Sequence, residues 1–192
     1  MQQYSNSSKK ILMKPYADMK NFMIATVNRN IELLQSELEI QVIKVITPPL
    51  VNNAINLRNL TSVINIYNFY KTTLVFSYDA QLINEIFRKY TKSIVIENID
   101  LQYFIKQTSC DMINIIVGNI LSEFEHTNKV FQLSVPLVVI NSSNIKKCNN
   151  KKVYLNEIIT EFGKMSIFCI VPKRFFFIPF SSKKESEYHE KP

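Results

Sequence analysis

Six residues, Gln107, Asp111, Asn114, Gly118, Ser122 and Glu125, recur at intervals of three or four along one stretch of the chain. At about 100° per residue they fall within a stripe of roughly 80° on one side of a helix. With Asp111 as origin, Gln107 lies at about −40°, Asn114 at about −60° and Gly118 at about −20°. A carboxylate, a carboxamide and a glycine therefore follow one another turn by turn. Ile113, Ile116, Val117, Ile120 and Phe124 fall on the opposite side and belong to the core, while Ile115 and Phe104 flank the stripe as exposed apolar residues. Asp and Asn are poor interior helix residues, because their short side chains compete for backbone hydrogen bonds. A mid-helix Gly costs about 1 kcal/mol relative to Ala. A helix that accepts all three on one face suits a partner that must come close. The competing structural reading is the polar face that any amphipathic helix presents to solvent.

Other chemistries have little material. There are two histidines, and His189 lies near the end of the chain. His126 follows the stripe at the helix C-terminus, where a cation is favoured, and reads as a capping residue. Cys110, Cys148 and Cys169 are odd in number and lack CxxC spacing, so neither a disulfide framework nor a zinc site is expected, and a reducing cytoplasm is the simplest location. Cys110 neighbours Asp111 but points about 100° away, as a buried structural thiol would. With only Gly118 and Gly163 in the chain, the glycine-rich loops that cradle phosphates and dinucleotides are excluded.

The elements that must position the stripe follow from periodicity. Residues 17–38 carry Met19, Phe22, Met23, Thr26, Val27, Ile31, Leu34 and Leu38 at helical spacing. Residues 40–47 are rich in β-branched types and end at Pro48-Pro49, as a strand. Residues 60–68 and 71–79 form a hairpin, and Asp79 caps a helix over 80–91. The stripe occupies a helix over 101–125. Residues 129–140 make a strand that Pro136 marks as an edge or a bulge. Residues 151–162 and 164–172 form a second hairpin, turning at Gly163. This order predicts an α+β domain, an antiparallel sheet covered on one face by two long helices. It spans 17–172, after a leader over 1–16 and before a tail over 173–192 that opens on the apolar Phe175, Phe176, Phe177 and Phe180.

Composition agrees with one domain: 192 residues, of which 46% are hydrophobic, suffice for one core. The longest unbroken apolar run is five residues, Ile167 to Val171, against the roughly 20 that a membrane span needs. The N-terminus has no apolar h-region, so no signal peptide is expected. The net charge of +7 favours anionic partners. The basic residues group at Lys9, Lys10 and Lys14, at Lys146, Lys147, Lys151 and Lys152, and at Lys173, Arg174, Lys183 and Lys184, in termini and loops. No helix carries a basic stripe, so nucleic acid is disfavoured as a partner, and no membrane contact is expected.

The segment from Gln107 to Ile140 resembles the signature region of the CheX/CheC/FliY phosphatases of bacterial chemotaxis. That pattern is Asp or Ser, three residues, Glu, two residues, Asn, twenty-one residues, Pro. Here Gln107, Asp111, Asn114 and Pro136 stand at those spacings. The glycine four residues after the Asn, Gly118, is also typical, as is the following Ser-Val-Pro-Leu-Val-Val strand. The element order is similar to that of CheX over roughly residues 17–172, and the pattern occurs once, as in CheX. The resemblance implies a CheC/CheX-like fold and a role in chemotaxis or related two-component signalling. It implies hydrolysis of the aspartyl phosphate on a phosphorylated CheY-like receiver domain, the response regulator. Asp111 would then pair with a lysine beside the phosphorylated aspartate, and Asn114 would orient the attacking water. Gln107, Ile115 and Gly118 would meet the partner. The chain would need no cofactor of its own, since Mg²⁺ is expected on the receiver, and no metal ligands are assigned. A homodimer formed by joining sheets also follows from the resemblance.

Two positions depart from the pattern. Asp111 replaces Glu, which shortens the arm by about 1.3 Å. Gln107 replaces Asp or Ser and carries no charge. A non-catalytic CheX-like binding module is therefore the alternative, and a basic nucleic-acid-binding domain is the third reading.

Overall fold

The computed structural model describes residues 15–48, 55–67, 71–92, 100–124, 131–140 and 150–172, with only the backbone of 15–18 and of Phe124. Ten elements run in the expected order: α1 (Pro15–Glu32), β1 (Val42–Ile46), β2 (Leu60–Tyr67), β3 (Lys71–Tyr78), α2 (Ala80–Tyr90), α3 (Leu101–Phe124), β4 (Gln132–Leu133), β5 (Leu137–Ile140), β6 (Lys151–Thr160) and β7 (Gly163–Pro172). All the strand pairs are antiparallel, in the order β1-β6-β7-β3-β2-β4, with β5 also on β2. α1 takes in Pro15 and Tyr16 of the expected leader; residues 1–14, the tail, His126 and Cys148 lie outside the described residues, as do all the grouped basic residues except Lys151 and Lys152.

The first helix does not run regularly to residue 38. Leu33–Glu37 forms a π-helical turn, closed by Leu38 N–H donating to the Leu33 carbonyl at 3.0 Å. The wider turn lets Leu33, Leu34 and Leu38 all reach the core, where an α-helical register would spread them around the axis. Glu39, at φ 52°, then turns the chain into β1.

The helices pack on one face of the sheet. Alternation along each strand sends Ile64 and Ile66, Leu74, Phe76 and Tyr78, and Met165, Ile167 and Cys169 into the core under the helices. The Cys169 thiol, buried there, donates to the Met19 sulfur at 3.5 Å, and burial pushes its pKa up to about 12. The opposite face, unremarked in the sequence, has a smaller apolar cluster of its own. Val75, Val153, Phe168 and Ile170 are closed over by Ile55 and Leu57 from the segment before β2.

Arg58 anchors that segment. Its guanidinium donates to Asp79 Oδ1 at 2.8 Å, Glu157 Oε1 at 2.7 Å and Ser166 Oγ at 2.8 Å. This corrects the expected cap on α2. Asp79 holds the N-cap position but makes no side-chain cap bond. Its other oxygen accepts from the Lys164 backbone N–H at 2.8 Å, and Asn59 Oδ1 accepts from the Ala80 N–H at 3.1 Å instead. The charged Arg58 guanidinium and the Lys164 N–H thus occupy both carboxylate oxygens and leave neither turned to the helix end. Gly163 permits this arrangement. Its φ is +125°, and a Cβ there would come within 3.1 Å of Asp79, so the turn predicted at this glycine also seats the carboxylate.

Pro136 sits where the margin of the sheet breaks. Ile66 pairs with Leu133 and Val63 pairs with Leu137, so one extra residue is inserted between β4 and β5. Both the edge and the bulge read from Pro136 are present. Ser134 spans the break, its N–H donating to the Asn65 carbonyl and its Oγ accepting from the Asn65 N–H, both at 2.9 Å.

Candidate functional site

α3 is one continuous helix of 24 residues, so the periodicity in the sequence is realised in space. Ile113, Ile116, Val117 and Ile120 are buried at 0–2% exposure, and they fix which side of the helix meets the sheet. Gln107, Asp111, Asn114, Gly118 and Ser122 are all exposed on the other side. Ile115, 42% exposed, stands beside them. Glu125 of the same stripe lies outside the described residues.

Phe104 departs from expectation. It is half-buried and packs against the core, its ring meeting Tyr103 edge to face at 5.3 Å between centroids. An aromatic side chain is long enough to fold back over the preceding turn. Tyr103 is the exposed ring instead. At about −80° on the same wheel it borders the stripe near Asn114, a position the wheel could have flagged.

Gly118 has open space around it. A Cβ built there meets nothing within 4 Å, so the fold itself does not require glycine at this point. Gly118→Ala should therefore stabilise the chain by about 1 kcal/mol through helix propensity, read from urea unfolding. The same substitution should weaken any partner that brings its backbone against this turn. A loss of stability would mean that the helix needs the glycine for its own packing.

Cys110 is partly buried. Burial first, and the Asp111 carboxylate second, push its thiol pKa up. Both effects disfavour the thiolate, so Cys110 is poorly suited to act as a nucleophile. The stripe's chemistry rests on a carboxylate and a carboxamide that solvent or a partner can reach. At the far end of α3, Glu123 accepts from Arg29 of α1 at 2.9 Å. That ion pair ties the two long helices together on the surface, where such pairs contribute little. Among the described residues no three His, Cys, Asp or Glu side chains are grouped to hold a metal, and no helix is long and apolar enough to cross a membrane.

No family model matches the sequence, and no curated protein does. Solved structures match the fold. A CheC-like superfamily protein from Shewanella sp. PV-4 superposes with a TM-score of 0.66 at 16% identity, over 79% of this chain and 97% of its own. A CheX chemotaxis protein from Desulfovibrio desulfuricans gives 0.64 at 15%, over 79% and 99%. A chain from the CheX–CheY–BeF3–Mg²⁺ complex of Borrelia burgdorferi gives 0.56 at 14%, over 81% and 97%. The neighbours are CheX- and CheC-like chemotaxis proteins, and this chain has their α+β fold.

Proposed function

We propose that this chain is a CheX-like phosphatase that docks α3 on a phosphorylated CheY-like receiver domain and hydrolyses its aspartyl phosphate. One observation carries the reading: Asp111 and Asn114 stand exposed one turn apart on a single helix whose opposite side is locked in the core. A similar fold occurs in a complex between CheX and CheY, which supports a receiver as the partner.

In this mechanism Asp111 pairs with a lysine beside the phosphorylated aspartate and sets the depth at which α3 enters. The Asn114 carboxamide accepts from a water and holds it in line with the scissile P–O bond. The water oxygen attacks phosphorus, the aspartate carboxylate leaves, and inorganic phosphate is released. Mg²⁺ belongs to the receiver and offsets charge on the phosphoryl oxygens. Positioning and charge neutralisation dominate phosphoryl transfer, and a neutral carboxamide can hold water without repelling the anion. Gln107, Ile115 and Gly118 form the surrounding contact, with Gly118 allowing close approach.

The second reading is a binding module without catalysis, favoured by one observation: Asp111 is a methylene shorter than the glutamate of the resembling family. Asp111→Glu separates the two. If the short arm limits the contact, the longer one should raise the rate of dephosphorylation. A chain tuned around aspartate should lose activity, because the longer arm misplaces the helix. The test is loss of phosphoryl label from receivers phosphorylated with acetyl phosphate. Unchanged label with wild type and Asp111→Glu alike would favour the binding module.

The same reading includes a homodimer formed by joining sheets. β1 is a marginal strand of the sheet and exposes Ile43 and Val45, and open strand edges invite pairing. Light scattering at high concentration should give twice the chain mass. A value near 22.4 kDa would count against the dimer.

A further inference from the structure

The first turn of α3 is fixed before the helix reaches the stripe. Asp100 Oδ1 accepts from the backbone N–H of Gln102 at 3.1 Å and of Tyr103 at 3.3 Å. The Asp100 carbonyl accepts from the N–H of Tyr103 at 2.9 Å and of Phe104 at 3.3 Å. Asp100 thus caps the helix, taking up donors that have no partner within it. Phe104 packs against the core, and the Tyr103 ring stands edge to face against it. The backbone under the Tyr103 ring and one flank of the ring are therefore held, while the ring is 52% exposed. An exposed aromatic held in this way loses little conformational freedom when a partner covers it.

We propose that Tyr103 is a specificity-determining contact for the receiver, its ring filling an uncharged, apolar recess beside the phosphorylation site. This rests on the docking of α3 proposed above. At about −80° on the wheel, Tyr103 lies only about 20° from Asn114, so a partner that reaches Asn114 along the helix also meets the ring. Tyr103 stands about 6 Å before Gln107 and about 16 Å before Asn114 along the axis, and helical side chains lean further toward the N-terminus. The ring therefore meets the receiver outside the phosphoryl pocket and contributes to docking, with no part in the chemistry. The chemistry of the recess follows from the stripe itself. Tyr103 and Gln107 carry no charge, and charge enters only at Asp111. Tyr103 and Ile115, exposed on either side of Asp111 and Asn114 along the helix, are the large apolar groups flanking this polar pair. Binding energy at interfaces concentrates in buried aromatic side chains, and of these two groups Tyr103 is the aromatic one.

Binding of phosphorylated receivers to the full chain tests this, in an Asn114→Ala background that leaves docking in place. Receivers are kept phosphorylated with acetyl phosphate and Mg²⁺, and Kd is read by calorimetry. Adding Tyr103→Ala should raise Kd about 30-fold, the loss typical of an aromatic hot spot. Tyr103→Phe, which keeps the ring, should stay within about threefold of the parent. Gln102→Ala, exposed on the opposite side of the same turn, should leave Kd unchanged. In an Asn114-intact chain, Tyr103→Ala should raise KM and spare kcat. If the parent binds a receiver and Tyr103→Ala binds it equally well, this inference falls and the docking of α3 stands. It also falls if Gln102→Ala weakens binding as much, if Tyr103→Phe is as weak as Tyr103→Ala, or if Tyr103→Ala lowers kcat with KM unchanged. A parent that binds no phosphorylated receiver overturns the docking of α3 and this inference with it.

Discussion

Asn114→Ala should reduce catalysed dephosphorylation by about 100- to 1,000-fold. Loss of one oriented polar group in a transition-state site costs about 2.7–4 kcal/mol. The effect should fall on kcat, because the carboxamide acts on the attacking water and contributes little to docking. Stability should not fall. The side chain is exposed, and alanine is the better helix former by less than about 1 kcal/mol. Single-turnover decay of a phosphorylated receiver, with urea unfolding as control, checks both parts. A variant that kept wild-type turnover would remove Asn114 from the chemistry.

Ile113→Ala, one residue earlier, should do the reverse. Ile113 is fully buried in the core beneath α3. Truncating a buried aliphatic side chain to alanine costs about 2–5 kcal/mol, through lost burial and the cavity left behind. That is a large share of the stability of one domain, so the urea midpoint should drop sharply. Activity per folded molecule should change far less, since the stripe is untouched. Adjacent residues with opposite readouts would demonstrate that one helix separates its structural and its chemical side. A loss under about 1 kcal/mol would mean that α3 is held less firmly than its burial indicates.

The helix that carries the site was legible because its two sides differ in kind. Ile113, Ile116, Val117 and Ile120 repeat at the α-helical period, and local periodicity survives in the fold. The strands were legible for the same reason, down to the break at Pro136. What could not be read depends on contacts distant in sequence. Arg58 draws Asp79 and Glu157 together from 21 and 99 residues away, and nothing near Asp79 in the chain signals that its carboxylate will leave the helix end it precedes. The cover of Ile55 and Leu57 over the second sheet face is equally non-local. The π turn at Leu33–Glu37 escaped because Leu34 and Leu38 fit either helical register. Around the site, spacing alone gave exposure and grouping. The roles of Asp111 and Asn114 came from resemblance, since an exposed carboxylate and carboxamide on a helix have no single chemistry.

The phosphoryl lifetime of CheY-like receiver domains, measured with and without this protein, tests the central claim most directly. A panel of receivers phosphorylated with acetyl phosphate in the presence of Mg²⁺ would be followed by loss of label, with wild type and Asn114→Ala added in parallel. The predicted result is a sharply shortened lifetime for at least one receiver with wild type, and near-spontaneous decay with Asn114→Ala. Lifetimes unchanged by wild type across every receiver tested would contradict phosphatase action.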